Sequence, residues 1–81
     1  MKLNELRQRL IREHVLKNAY SLDGGLPNEK YCLGYIGGLW ETYYSEMGQK
    51  TSLKVFETED EACNFFYNWL TKSLRSMGLL T

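Results

Sequence analysis

The chain has little that would announce a reaction. Its 81 residues include one histidine, two cysteines and one proline. With His14 the only nitrogen ligand and Cys32 and Cys63 the only thiols, a four-ligand metal site lacks its parts. No serine or cysteine is tied to His14 by spacing, so no nucleophile–base pair can be read off. Cys63 falls past the first turn of a helix and has no adjacent cation to lower its pKa, so buried, reduced thiols are the expectation, with a disulfide left open. An excess of charge is also missing. Ten basic and ten acidic residues cancel, whereas a nucleic-acid binder of this size would carry a basic surplus to neutralise phosphates. No apolar run approaches the roughly 20 residues of a membrane span. The opening "MKLNELRQRL" alternates charges with leucines, unlike a signal peptide. These absences argue against nucleic acid and membrane as partners, and for a cytoplasmic, non-enzymatic chain without metal or cofactor.

Aromatic residues are plentiful instead, at 14% with six tyrosines, and rings that each bury about 150 to 250 Å² help a small core. One domain spanning residues 1–81 is expected. A chain this short buries only about 60 to 65% of its unfolded surface, so each large apolar side chain matters.

The first segment places Leu3, Leu6, Leu10 and Ile11 at helical spacing among charged residues, predicting an amphipathic helix over roughly 3–17 that stops at Asn18. "YSLDGGLPNEKY" reads as a loop, with Asp23-Gly24-Gly25 and Pro27-Asn28 as turn chemistry and with Tyr20 and Leu22 pinning it to the core. It lacks the lysine and hydroxyl pattern of a phosphate loop. "KYCLGYI" and "LWETYYS" follow as strands joined by Gly37-Gly38, whose glycines accept the positive φ of a tight hairpin turn. "EMGQK" makes a second turn and "TSLKVF" a third strand. Thr58 and Glu61 form a capping box that opens a long helix with Ala62, Phe65, Phe66, Trp69, Leu70 and Leu74 as its stripe, ended by Gly78. The predicted fold class is α+β: αβββα, a three-stranded antiparallel meander packed by an N-terminal and a C-terminal helix on one face.

Alternation puts Leu39, Glu41, Tyr43 and Ser45 on one face of that meander and Trp40, Thr42 and Tyr44 on the other. Two helices cover one face, so some of Tyr31, Tyr35, Tyr43 and Tyr44 should stay at least partly exposed. Such rings either cap a thin core or, flanked by acids, grip a protein partner, because tyrosine offers large rigid contact area at low entropic cost. The candidate partner-binding residues are Asp23, Glu29, Tyr31, Glu41, Tyr43 and Glu46. Spacing does not show whether any two of these carboxylates approach closely enough for acid–base work.

The succession "YSLDGGLPNEKYCL" and "LWETYYSEMGQKTSLKVFETEDEACNFFYNWL", over about residues 19–70, resembles small bacterial immunity proteins encoded beside polymorphic or contact-dependent toxins. The resemblance implies a cytoplasmic protein that binds a cognate toxin domain, often a basic nuclease, and blocks it without catalysis. The acids Asp23, Glu29, Glu41 and Glu46 among tyrosines would attract such a partner. The alternative is a small regulatory or scaffold module that self-associates as a homodimer through the edge of "TSLKVF", which Lys54 would discourage.

Overall fold

The computed structural model describes residues 1–80. Helix α1 (Leu3–Arg12) is followed by a single 3₁₀ turn (Lys17–Ala19), strands β1 (Tyr20–Ser21), β2 (Lys30–Ile36), β3 (Leu39–Glu46) and β4 (Gln49–Phe56), and helix α2 (Glu59–Ser76). The sheet has the order β1-β2-β3-β4. The expected antiparallel meander is present as β2, β3 and β4, with Ile36 opposite Leu39 and Glu46 opposite Gln49 across two-residue turns. Gly37 and Gly38 have φ of 61° and 83°, the left-handed pair that closes a hairpin in step with strand twist.

Two expectations need correction. Tyr20 and Ser21 are not loop but a fourth strand, parallel to β2 through Tyr20–Tyr31 and Ser21–Cys32, so the sheet is mixed. A two-residue strand carries too little alternation to stand out from the turn residues after it. Helix α1 also ends at Arg12 rather than near Asn18. The apolar stripe explains this: after Leu10, the next positions on that face are Glu13, His14 and Lys17, and a longer helix would turn these polar side chains inward. Instead His14 takes a left-handed φ of 56°. Its N–H donates to the Ile11 carbonyl at 3.1 Å and the Val15 N–H to the Leu10 carbonyl at 3.0 Å. That closure turns Val15 into the core beside Leu10.

Helix α2 begins at the expected Thr58, but only half of the expected capping box forms: the Thr58 hydroxyl oxygen accepts from the Glu61 N–H at 3.2 Å. The Glu61 carboxylate accepts the Thr58 hydroxyl proton at 2.8 Å rather than reaching the backbone. Ala62, Phe66, Leu70 and Leu74 are buried, joined by Cys63, Tyr67 and Thr71. They pack with Leu6, Leu10, Leu22 and Leu33 into one cluster on one face of the sheet, edged by Tyr31, Trp40, Phe56 and Trp69. The end of α1 is tied to α2 by the Tyr67 hydroxyl, which donates to Glu13, and by Arg9, which lies 3.8 Å from the Tyr67 ring centre. The Tyr67 hydroxyl and then Arg9 hold the Glu13 carboxyl below its ordinary pKa.

The opposite face of the sheet is covered by chain rather than by helix. From β1 the segment 22–29 crosses over β2 and β3. The Gly24 N–H donates to the Leu33 carbonyl at 3.0 Å, the Tyr43 hydroxyl donates to the Gly25 carbonyl at 2.6 Å, and Asn28 Oδ1 accepts from the Met47 N–H at 3.3 Å. Gly34 lets this strap lie flat, since a Cβ there would stand 3.0 Å from the Gly24 Cα. The strap covers only part of the face. Ile36, Leu39, Leu53 and Val55 remain exposed beyond it.

Candidate functional site

Both cysteines are buried and unpaired. Burial raises the Cys63 thiol to about 11 and shifts Cys32 in the same direction, the opposite of an activated nucleophile. Among the described residues, no three metal-ligating side chains gather. Nor is any helix of those residues long and apolar enough to cross a membrane.

The sheet divides the six residues singled out from the sequence into two groups. On the strap side lie Asp23, Glu41 and Tyr43, and each is already engaged. Asp23 pairs with Arg7 at 3.5 Å, and Glu41 with Lys50 at 2.5 Å. Tyr43 is fully buried. Its ring lies between the strap and the Lys50 ammonium, 4.7 Å from the ring centre, and burial raises its hydroxyl to about 12. The expectation that Tyr43 grips a partner is corrected: alternation assigned its face correctly, but strap segment 22–29 covers that face.

On the helix side Tyr31, Glu29 and Glu46 come together at the end of the sheet where β2 begins and β3 ends. Tyr31 lies opposite Tyr44 across the ladder, and the two half-buried rings meet edge to face at 4.9 Å. Trp69 of α2 supports Tyr31 from behind at 4.8 Å. Glu46, the last residue of β3, continues this face by alternation, and Glu29, just before β2, lines the cavity beside Tyr31. Among the described residues neither carboxylate has an ion-pair partner. Burial raises the Tyr44 hydroxyl pKa, and the Glu29 and Glu46 charges add to it. Glu29 has a left-handed φ of 57°, an unusual conformation for a glutamate. The expectation that some tyrosines stay partly exposed is met by Tyr31, Tyr44 and the open Tyr35.

These rings line an open cavity of about 430 Å³ between the sheet end, the 3₁₀ turn and the C-terminal end of α2. Its remaining walls are mainly apolar: Ala19, Leu74 and the side chains of Leu16, Met77 and Leu79, which are 46%, 54% and 51% exposed. Three large apolar side chains left open around one cavity make a surface that excludes water on contact. The site thus combines apolar walls, tyrosine rings, the Glu29 carboxylate and the Lys17 side chain, with Glu46 just outside it.

Sequence reasoning missed Tyr44 as a site residue, and the walls with it. The Gly37-Gly38 turn carried the signal for Tyr44, because a two-residue hairpin fixes the register that sets Tyr31 against Tyr44. Leu16 and Met77 fell inside the helices expected from the sequence; α1 and α2 end before them, and with Leu79 they stand around the cavity instead. Comparison of the chain with protein-family models, curated proteins and solved structures finds no match.

Proposed function

We propose that this chain is a non-catalytic, cytoplasmic immunity protein that neutralises a cognate bacterial toxin domain by binding it. The single observation that carries the binding surface is an apolar cavity lined by half-buried Tyr31 and Tyr44 and by Glu29, with Glu46 following Tyr44 on β3 just outside it. The toxin as partner comes from the resemblance of the Trp40–Gly48 hairpin and the helix after it. A basic toxin domain suits this surface, since complementary charge speeds encounter and desolvated aromatic anchors slow departure. Asp23 and Glu41 contribute less, because Arg7 and Lys50 already answer their charge.

The test is co-expression with the product of the adjacent gene. The expected result is protection of the cell and a complex with a Kd of order nanomolar. Tyr44→Ala or the charge reversal Glu46→Lys should weaken that complex about 10- to 100-fold. Absence of both binding and protection ends the proposal.

A second reading, self-association as a homodimer, draws on β4, a free sheet edge that exposes Leu53 and Val55. The same strand carries Lys50 and Lys54 and is bulged at Ser52, with φ of 57°, and both features disfavour edge pairing. A concentration-independent dimer in light scattering that Leu53→Lys dissolves would favour this reading over the first.

A further inference from the structure

We infer that the Tyr31–Tyr44 cavity is a socket for one arginine or lysine side chain of a protein partner, so that a single cation-tipped anchor dominates binding at this site. The inference rests on the protein-binding reading above and names what that surface holds. Three independent features of one cavity demand the same ligand chemistry.

The first is shape and polarity. A volume of about 430 Å³ with apolar walls accepts the methylene stem of a long side chain, which sheds water against Leu16, Leu74 and Met77. The second is aromatic. Tyr31 and Tyr44 both line the cavity and meet edge to face rather than stacked, and tyrosine rings attract guanidinium and ammonium groups. The third is charge. Glu29 lines the cavity, and Glu46, two residues past Tyr44 on β3, stands beyond its wall; among the described residues neither carboxylate forms an ion pair, and both charges help raise the Tyr44 hydroxyl pKa. The C-terminal end of α2 also borders the cavity and adds the negative pole of the helix dipole. An anion would meet all of these with the wrong sign. A purely apolar group would leave the Glu29 carboxylate on the wall without a partner.

Lys17 is the one basic side chain on the wall. Among the described residues it forms no ion pair with Glu29 or Glu46. As a like charge beside the socket it opposes the incoming cation, which gives the inference a second, oppositely signed test.

The decisive experiment titrates the whole protein with N-acetyl-arginine methylamide, following backbone amide shifts by NMR, with the citrulline analogue as neutral isostere. Arginine should bind saturably with a Kd of about 1 mM, shifting residues 16–19, 29–31, 44–46 and 74–79. Citrulline should bind at least about 10-fold more weakly, given a charge-assisted contact. The double variant Glu29→Gln/Glu46→Gln should erase the preference for arginine over citrulline, and Lys17→Gln should tighten arginine binding about 2- to 3-fold. Equal binding of both probes, shifts clustered elsewhere, or an unchanged preference in the double variant would overturn the inference. Because no toxin is present, the two ideas fail separately. A socket that binds arginine while the adjacent gene product is ignored removes the immunity reading, and a toxin complex without arginine binding removes the socket.

Discussion

Tyr43 and Tyr44 are neighbours in the chain and face opposite sides of β3, yet one is fully buried and the other stands at the rim of a cavity. The difference comes from what covers each face. The helix face has a thick apolar layer, but α2 ends and α1 stops short at Arg12, so the sheet's last tyrosine pair is left at an opening. Among the described residues the opposite face has no helix. It has a strap that fits closely because Gly34 has no side chain and because the Tyr43 hydroxyl holds the Gly25 carbonyl. Cover therefore depends on local fit as much as on which element is nearby, and a face without helices can seal a tyrosine better than a face with two.

The comparison can be broken most forcefully at Tyr43 itself. Tyr43→Ala should destabilise the fold by about 3 to 5 kcal/mol, the range for removing a buried aromatic ring. Tyr44→Ala should cost clearly less, about 1 to 2 kcal/mol, since its ring is only half buried. Urea unfolding of both variants checks the contrast, and equal losses would mean the strap does not seal Tyr43.

Next in size is Gly34→Ala. Its new Cβ would press on the Gly24 backbone at 3.0 Å, and backbone cannot swing aside as a flexible side chain can. A loss of about 1 to 3 kcal/mol is expected, with hydrogen exchange speeding up in residues 23–28 before the helices are affected.

Alkaline pH should act on the same contact. The Tyr43 hydroxyl is raised to about 12 in the folded chain, while an unfolded tyrosine ionises near 10. A raised folded pKa stabilises fully below the unfolded value, and that stabilisation is lost as pH rises through the folded value. Stability should thus fall between pH of about 10 and 12. Tyr43→Phe should cost about 1 kcal/mol at neutral pH through the lost hydroxyl bond and should flatten this alkaline fall. A pH series of thermal melts tests both halves of the statement.

The smallest effects compare two hydroxyls, one on each face. Thr42 beneath α2 and Ser45 on the strap side are fully buried, and among the described residues their oxygens find no partner. Thr42→Val and Ser45→Ala should each stabilise by about 1 kcal/mol by removing an unsatisfied polar group. A gain at Thr42 alone would show that water reaches Ser45 beneath the strap.

Much of this architecture was legible from the residues. The Gly37-Gly38 and Met47-Gly48 turns set the β2–β3–β4 ladder, and Thr58 and Gly78 bracket α2 closely. The two features misjudged are those where periodicity is weak. A two-residue strand such as Tyr20–Ser21 has no pattern to detect. The early end of α1 was written in Glu13, His14 and Lys17, which break the stripe even though none of them is a customary helix breaker. Of the candidate site, Glu29 and Tyr31 were singled out in the sequence, with Glu46 beside them, because tyrosines beside acids suggest an exposed surface. Tyr43 was placed among them wrongly, since alternation assigns a face without revealing what lies over it.

The sequence by itself determined the helices, the hairpins and the face on which each strand residue stands, because these follow from interactions between residues a few positions apart. Only the tertiary structure decided which tyrosines are free. That depended on contacts between distant segments, Gly24 with Gly34, Gly25 with Tyr43, and Leu79 and Leu16 around Tyr31 and Tyr44. Local periodicity carries no information about where two remote pieces of chain will fit closely and where they will leave a gap.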